Sequence, residues 1–177
     1  MAIIAKDDGG GPREKPEPGL HNAVCSKMFD LGVQEGFQGK PQHKVVIYWE
    51  LEETMKTGDY AGKRFVLSRT YTLSLNEKAS LRRDLESWRG KGFTEQEVNG
   101  FDIEVLIGVP CTINVIHDDK SGRAKIAGIM PKQKTAEALT PELPDDFCPP
   151  WIAEALGKTP PEEAAAVDDY DDSSIPF

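Results

Sequence analysis

Lysine, arginine and aromatic residues concentrate on two stretches that alternate like β-strands, KVVIYWELEE and RFVLSRTYTLSL. Binding of single-stranded nucleic acid requires this combination, because cations attract phosphates and exposed rings stack on bases, each stack contributing roughly 1 to 3 kcal/mol. A polar turn near residue 120 adds further cations. The pattern predicts a surface for single-stranded nucleic acid. The candidate residues are Lys44, Tyr48, Trp49, Lys63, Arg64, Arg69, Tyr71, Lys120, Arg123 and Lys125.

Some of these candidates also have a structural interpretation. Neighbouring side chains of a strand point to opposite faces. If Trp49 points into the core, Tyr48 faces outward and is the best stacking candidate; alternatively, Tyr48 is an ordinary strand tyrosine packed under a loop. Arg69 lies on an otherwise apolar strand face, so it contacts phosphate, forms a satisfied buried ion pair, or is moved to the other face by a bulge. The sequence leaves these alternatives open.

The residues that usually carry catalysis show no matching pattern. The three histidines are far apart and have no HExxH or GxSxG context, and the three cysteines lack CxxC spacing, so neither a zinc site nor a disulfide framework is indicated. We therefore expect no enzyme activity, no metal and no cofactor. A metal-dependent nuclease using Asp118 and Asp119 is the catalytic alternative, but adjacent acids in a strand point to opposite faces.

Five segments have the composition and alternation of strands, and one has a helical period. Leu81, Leu85 and Trp88 fall on one helix face, with Gly90 as the predicted stop and Ser74 or Asn76 as the predicted N-cap. A second capping-box spacing at Thr94 and Glu97 predicts a short helix. The predicted strands are 23–33, 44–53, 64–75, 111–119 and 123–131.

The order strand, strand, strand, helix, strand, strand is that of the OB-fold, a small barrel whose second and third strands and loops bind oligonucleotides or oligosaccharides. The predicted fold class is therefore mostly β, a five-stranded OB-fold barrel with a helix between strands 3 and 4. An SH3-like barrel or a small α+β sheet remains an alternative. No apolar run approaches the roughly 20 residues of a membrane helix, so we expect a cytoplasmic protein.

Composition divides the chain into four regions. We predict a disordered N-terminal arm (1–19), a DNA-binding domain (20–134), a Pro/Ala-rich linker with a possible short helix (135–160) and an acidic tail (161–177). The net charge of −9 is unevenly distributed. Residues 25–134 carry 17 basic and 15 acidic side chains, whereas the tail carries six acids and no base. A mildly basic body with acidic ends is compatible with nucleic-acid binding.

The chain ends in VDDYDDSSIPF, an acidic run followed by an apolar tripeptide. This ending resembles the C-terminal tip of bacterial single-stranded DNA-binding proteins (SSBs), although Ser173 and Ser174 separate its acids from Ile175. The segments SRTYTLSLNEKASLRRDLESWRGKGFT (68–94) and FDIEVLIGVPCTINV (101–115) resemble phage-encoded SSB-like proteins. The residues that match the tip are Asp168, Asp169, Asp171, Asp172, Ile175, Pro176 and Phe177.

The resemblance implies a non-enzymatic protein that coats single-stranded DNA during phage replication or recombination. The tip residues would recruit replication or repair proteins of the host or phage. The family includes monomers, dimers and tetramers, so a homo-oligomer is possible. The alternative is a protein-interaction β-barrel with a DNA-mimicking acidic tail and no affinity for single-stranded DNA.

Overall fold

The computed structural model of the protein describes residues 14–157. This part of the chain is mostly β, with one five-stranded antiparallel sheet and a few short helices. The strands are β1 (Gly19–Glu35), β2 (Pro41–Thr54), β3 (Arg64–Thr72), β4 (Pro110–His117) and β5 (Ala124–Met130). The helices are α1 (Ser80–Arg89), α2 (Glu95–Val98) and α3 (Pro150–Ala155), with 3-10 helices at Phe37–Gly39 and Ile103–Leu106.

The strands are arranged in the order β3-β2-β1-β4-β5. The 17-residue β1 is shared, because its first residues pair with β4 and the stretch from Ala23 onward pairs with β2. Register shifts between Cys25 and Lys27 and between Asp30 and Gly32 interrupt its pairing with β2. Such bulges increase the local bend and twist of a strand. β1 is therefore bent along the part that pairs with β2, and the sheet is curved there.

β3 and β5 are the two edges of the sheet as described, so the sheet is not closed into a barrel by hydrogen bonds. Helix α1 lies between β3 and β4 in sequence and contacts both edge strands. The Ser87 hydroxyl donates to the carbonyl of Ile129 on β5 (2.5 Å), and Trp88 Nε1 donates to the carbonyl of Pro110 at the start of β4 (3.2 Å). α1 thereby packs against the concave side of the curved sheet.

The main hydrophobic core lies between this concave side, the inner face, and α1. The expected helical face is confirmed, because Leu81, Leu85 and Trp88 are all buried in this core. Alternating β2 residues face the same core. The buried β2 residues on the inner face are Val45, Ile47, Trp49 and Leu51.

The predicted start of α1 is wrong, whereas its predicted end is confirmed. Ala79 occupies the N-cap position and makes no side-chain cap. Asn76 Oδ1 instead accepts from the Lys78 amide within the preceding turn, and Ser74 Oγ accepts from the Asn76 amide. These side chains satisfy local turns before the helix begins, which is the usual competition at such sites. Gly90 ends α1 in the left-handed region (φ 72°).

The predicted capping box at α2 is present. Thr94 Oγ1 accepts from the Glu97 amide, and the Glu97 carboxylate accepts from the Thr94 amide. Arg89 at the end of α1 donates two hydrogen bonds to the same carboxylate. The hydrogen bonds from Arg89, followed by that from the Thr94 amide, lower the pKa of Glu97 to about 2. This carboxylate ties α1 to α2.

The outer face of β1, β2 and β3 is covered by residues 137–157, which we call the strap. The strap returns from β5 across the sheet and ends in α3. Ile152 of α3 is fully buried, within a second apolar cluster that includes Tyr48, Val46 and Leu31. Much of the predicted linker, from Glu137 onward, therefore contacts the sheet, and the predicted short helix is α3.

Candidate nucleic-acid interface

The strands distribute the predicted binding residues over both faces of the sheet. Alternation along β2 and β3 is regular from Lys44 to Glu50 and from Val66 to Thr72, so the proposed bulge at Arg69 is absent from this stretch. Arg69 therefore remains on the inner face, with Tyr71. Three other candidates, Lys44, Tyr48 and Arg64, lie on the outer face.

On the inner face, Trp49 is a core residue with 1% of its surface exposed. Its ring packs edge-on against Trp88 of α1, with ring centroids 6.1 Å apart. Aromatic pairs at this separation stabilise a core beyond their buried area. Trp49 consequently offers no surface to a base in this conformation.

Arg69 and Tyr71 form a buried polar network with Asp84 of α1. Arg69 Nη1 lies 3.1 Å from Asp84 Oδ2, and the Tyr71 hydroxyl donates to the same oxygen at 2.7 Å. The guanidinium also lies over the Tyr71 ring, 5.5 Å from its centroid. Burial and, next, the charge of Asp84 raise the pKa of Tyr71 well above its ordinary value. Of the explanations for Arg69, the structure contains the satisfied ion pair.

Tyr48 does point away from Trp49, but the expected open face is covered at this position. Only 5% of Tyr48 is exposed. Phe147 of the strap meets its ring edge-on at 5.5 Å, and Phe29 of β1 does so at 5.8 Å. The alternative of a strand tyrosine packed under another segment describes this conformation, although the segment is a distant one.

The two outer-face cations are engaged within the protein. Lys44 Nζ donates to Thr72 Oγ1 (3.0 Å), and desolvation by burial lowers the pKa of Lys44. Arg64 Nη1 donates to the strap carbonyl of Thr140 (2.7 Å), and Arg64 Nη2 lies 3.0 Å from the carboxylate of Glu142. Lys44 is thus held against β3, and Arg64 is held beside the strap.

The remaining predicted cations lie on the β2–β3 loop and on the β4–β5 hairpin, and all four are exposed. Lys63 belongs to the β2–β3 loop (55–63), while Lys120, Arg123 and Lys125 belong to the β4–β5 hairpin. Asp118 Oδ2 fixes the hairpin turn by accepting from the amide and hydroxyl of Ser121. These hydrogen bonds, the amide first, lower the pKa of Asp118, and its other oxygen lies 3.5 Å from Lys125. The Asp118 carboxylate therefore makes its contacts within the hairpin.

Residues just before β1 bring these two loops together. The Glu14 carboxylate accepts from the amides of Lys56 and Thr57 in the β2–β3 loop. The neighbouring Lys15 donates to the carbonyl of Gly122 in the β4–β5 turn (2.5 Å). Since two consecutive residues reach both loops, their cations lie at one side of the molecule. We call the β2–β3 loop and the β4–β5 turn together the basic edge.

Sequence reasoning missed an aromatic residue on the basic edge. Tyr60 is 62% exposed, and Lys63 Nζ lies over its ring, 5.9 Å from the centroid. Hydrogen bonds close the loop around it, including those from the Met55 amide to the Lys63 carbonyl and from the Lys63 amide to the Tyr60 carbonyl. In the sequence, Tyr60 could have been recognised as an aromatic residue between Lys56 and Lys63 in a loop that contains glycines. Here the structure combines an accessible ring with nearby cations.

Several predictions concern residues outside the described range. These are the partner-binding residues Asp168 to Phe177 and most of the predicted N-terminal arm, residues 1–13. Over residues 14–157, no group of acidic, histidine and cysteine side chains is arranged to hold a metal ion. Within the same range, no helix has the length and apolar character needed to cross a membrane.

Comparisons with known proteins give no identification. Neither a scan against protein-family models nor a search of curated proteins produced a match.

Proposed function

We propose that the protein is an OB-fold single-stranded DNA-binding protein that coats DNA largely without sequence specificity during phage replication or recombination. The observation that carries this proposal is the strand order β3-β2-β1-β4-β5 with α1 inserted between β3 and β4. Apart from the hydrogen-bonded pairing between β3 and β5 that would close a barrel, these are the strand neighbours of an OB-fold. The protein acts without a catalytic step in the cytoplasm of a bacterial host.

The basic edge supplies a suitable entry surface for DNA. Lys56, Lys63, Lys120 and Arg123 are exposed there and carry the charge that attracts phosphates. Tyr60 presents its ring beside them, and stacking on a ring tolerates any base. The combination favours a single strand, because the bases of a duplex are already stacked on one another. Little sequence preference is expected.

The acidic tail serves partner proteins in this proposal. Phe177 combines a ring with the terminal carboxylate, which suits a pocket with an apolar floor and a basic rim. The aspartates from Asp168 to Asp172 steer the tail toward such a pocket. The partners are replication or repair proteins of the host or phage.

One observation favours the second candidate, a protein-interaction module without DNA affinity. The outer face of β2 and β3, on which OB-folds bind oligonucleotides, is occupied by the strap. A protein that never binds DNA has no need to keep this face open. The two candidates therefore differ in whether any affinity for a single strand exists.

Fluorescence anisotropy with labelled oligo-dT and a duplex of equal length tests the proposal. We expect tighter binding of oligo-dT and a steep loss of affinity between about 50 mM and about 200 mM salt, as counterion release requires. Lys63→Ala should lower the salt slope by about one. The matched control is Lys78→Ala, an exposed lysine on the turn before α1. Equal binding of single strand and duplex, or none of either, would reject the proposed function.

A further inference from the structure

We propose that the strap is a displaceable cover that imitates a single strand, and that bound DNA takes its place on the outer face of β1, β2 and β3. This inference rests on the proposed function and adds a closed and an open state to it. Its basis is the chemistry of the strap contacts.

Besides the amides that bind Glu50, the strap is held through main-chain carbonyl and carboxylate oxygens of its own. Asn22 Nδ2 donates to the carbonyl of Glu137 (2.8 Å), and Lys27 Nζ donates to that of Asp145 (3.3 Å). Arg64 contacts both the Thr140 carbonyl and the Glu142 carboxylate. A row of oxygen acceptors on lysine, arginine and amide donors is the arrangement that a phosphate backbone offers to a protein.

The apolar contacts of the strap also lie where a bound single strand could make contacts. Phe147 places a ring against Tyr48, which also contacts Phe29. Valines of β2 and β3 line the surrounding cluster, together with Ile152 of α3. Without the strap, Tyr48 would become an exposed ring with Lys27 paired beside it, and Arg64 would lie further along the same face next to Glu50. Such a surface matches the stacking platforms of proteins that bind single strands.

Glu50 is the main polar anchor of the closed state. Its buried carboxylate accepts from the strap amides of Glu142 (2.8 and 3.0 Å) and Leu143 (3.3 Å) and from Ser26 Oγ. Arg64 Nη1 lies 3.7 Å from the same carboxylate. When the strap leaves, Glu50 keeps Ser26 and Arg64, while Arg64 exchanges strap oxygens for phosphate. The exchange leaves no charge buried without a partner.

In the closed state, with the strap on the outer face, one buried hydrogen-bond donor of the strap has no partner among residues 14–157. The indole N–H of Trp151 is buried and, like that of Trp49 in the inner core, finds no hydrogen-bond partner in that part of the chain. A buried donor without a partner costs about 1 to 3 kcal/mol. The only helix of the strap, α3, has six residues, which is too short to be stable without packing. Segments of this kind open locally at lower cost than a core.

The native cysteines provide a reporter for opening. Cys148 lies half-buried in the strap, whereas Cys25 and Cys111 are fully buried. Burial raises the pKa of Cys25 to about 12 and that of Cys111 still further. Because the thiolate is the reactive species, modification of the folded protein reports on Cys148.

The test measures maleimide modification of Cys148 in the full chain, with and without oligo-dT, by mass spectrometry of peptides. We expect saturating oligo-dT to accelerate modification roughly tenfold, corresponding to about 1.4 kcal/mol. In parallel, Phe147→Ala should accelerate modification without DNA and tighten oligo-dT binding several-fold. The matched control is Phe93→Ala, which removes a half-buried ring that meets Phe101 edge-on at 5.2 Å, away from the strap.

The outcomes separate this inference from the proposed function. Oligo-dT binding with unchanged or slower modification of Cys148 places DNA elsewhere and overturns the strap proposal alone. Failure of Phe147→Ala to gain affinity over Phe93→Ala overturns it as well. If Phe147→Ala does not fold, Ile152→Ala replaces it, and the unmodified chain still gives the modification rates. Absence of oligo-dT binding by both the native chain and the strap variant rejects the proposed function and the strap inference together.

Discussion

The inner face of β1, β2 and β3 packs on α1 through large apolar side chains, whereas their outer face is covered by an extended strap. Inside, Trp49 packs edge-on against Trp88, and both Arg69 and Tyr71 contact the Asp84 carboxylate. Outside, a small apolar cluster around Tyr48 is held by polar contacts to the strap main chain. A sheet of alternating residues can thus use one face for stability and keep the other for exchangeable contacts.

The largest expected effect separates the two faces by stability. Trp49→Ala should lower the free energy of unfolding by about 3 to 5 kcal/mol, since it leaves a cavity in the inner core. Phe147→Ala should cost less, because Phe147 is half-buried on a segment that opens separately. Urea unfolding measures both values. Equal losses would show that the strap and the core unfold as one unit.

The inner core should also lose stability at alkaline pH, because it contains the buried thiols of Cys25 and Cys111. A folded-state pKa raised above the unfolded value means stability that is full below the unfolded pKa and is lost as pH rises toward the folded pKa. For Cys25 this window runs from about 9 to about 12. Each buried thiol then costs about 1.4 kcal/mol per pH unit within its window. Urea unfolding between pH 8 and pH 11 (roughly the accessible range) should show this loss.

Removing the inner thiols tests whether they cause the alkaline loss of stability. The double variant Cys25→Ala and Cys111→Ala should flatten the alkaline loss of unfolding free energy, apart from any share of Tyr71. Cys148→Ala on the strap serves as the matched control and should retain the loss, since both inner thiols are still present. A profile that stays equally steep in the double variant would assign the alkaline loss to other groups.

The smallest expected effect is local to the outer face. Glu50→Gln weakens the acceptor for the strap amides by about 1 kcal/mol, since hydrogen bonds to charged groups are stronger than neutral ones. Hydrogen exchange at the amides of Glu142 and Leu143 should accelerate roughly fivefold. Glu53→Gln is the control, because Glu53 accepts from the Glu17 amide instead. Unchanged exchange at Glu142 and Leu143 would remove Glu50 as the anchor of the strap.

Local patterns were sufficient for most of the elements. The alternation of β2 and β3, the helical spacing of Leu81, Leu85 and Trp88, and the capping box at Thr94 are confirmed. The N-cap of α1 was wrong because Ser74 and Asn76 can satisfy either a turn or a helix end, and the two uses look alike in sequence.

The candidate site was less predictable because its contacts join segments that are distant in sequence. Alternation placed Arg69 on the inner face, but the choice between phosphate and a buried acid depended on where Asp84 of α1 would pack. Tyr60 was overlooked because the exposure of a loop ring depends on neighbouring segments. The closeness of the two loops depended on Glu14 and Lys15, which are distant from them in sequence.

The strand and helix segments and the side chains of β2 that face the core can be predicted from the chain alone, because they follow from periods of two and 3.6 residues. The cover over the outer face is visible only in the folded molecule. The Glu50 carboxylate meets the amide of Glu142 across 92 positions of sequence, and Tyr48 is buried by Phe147 at a similar separation. Local periodicity carries no information about such a contact, because it depends on how the chain returns over the finished sheet.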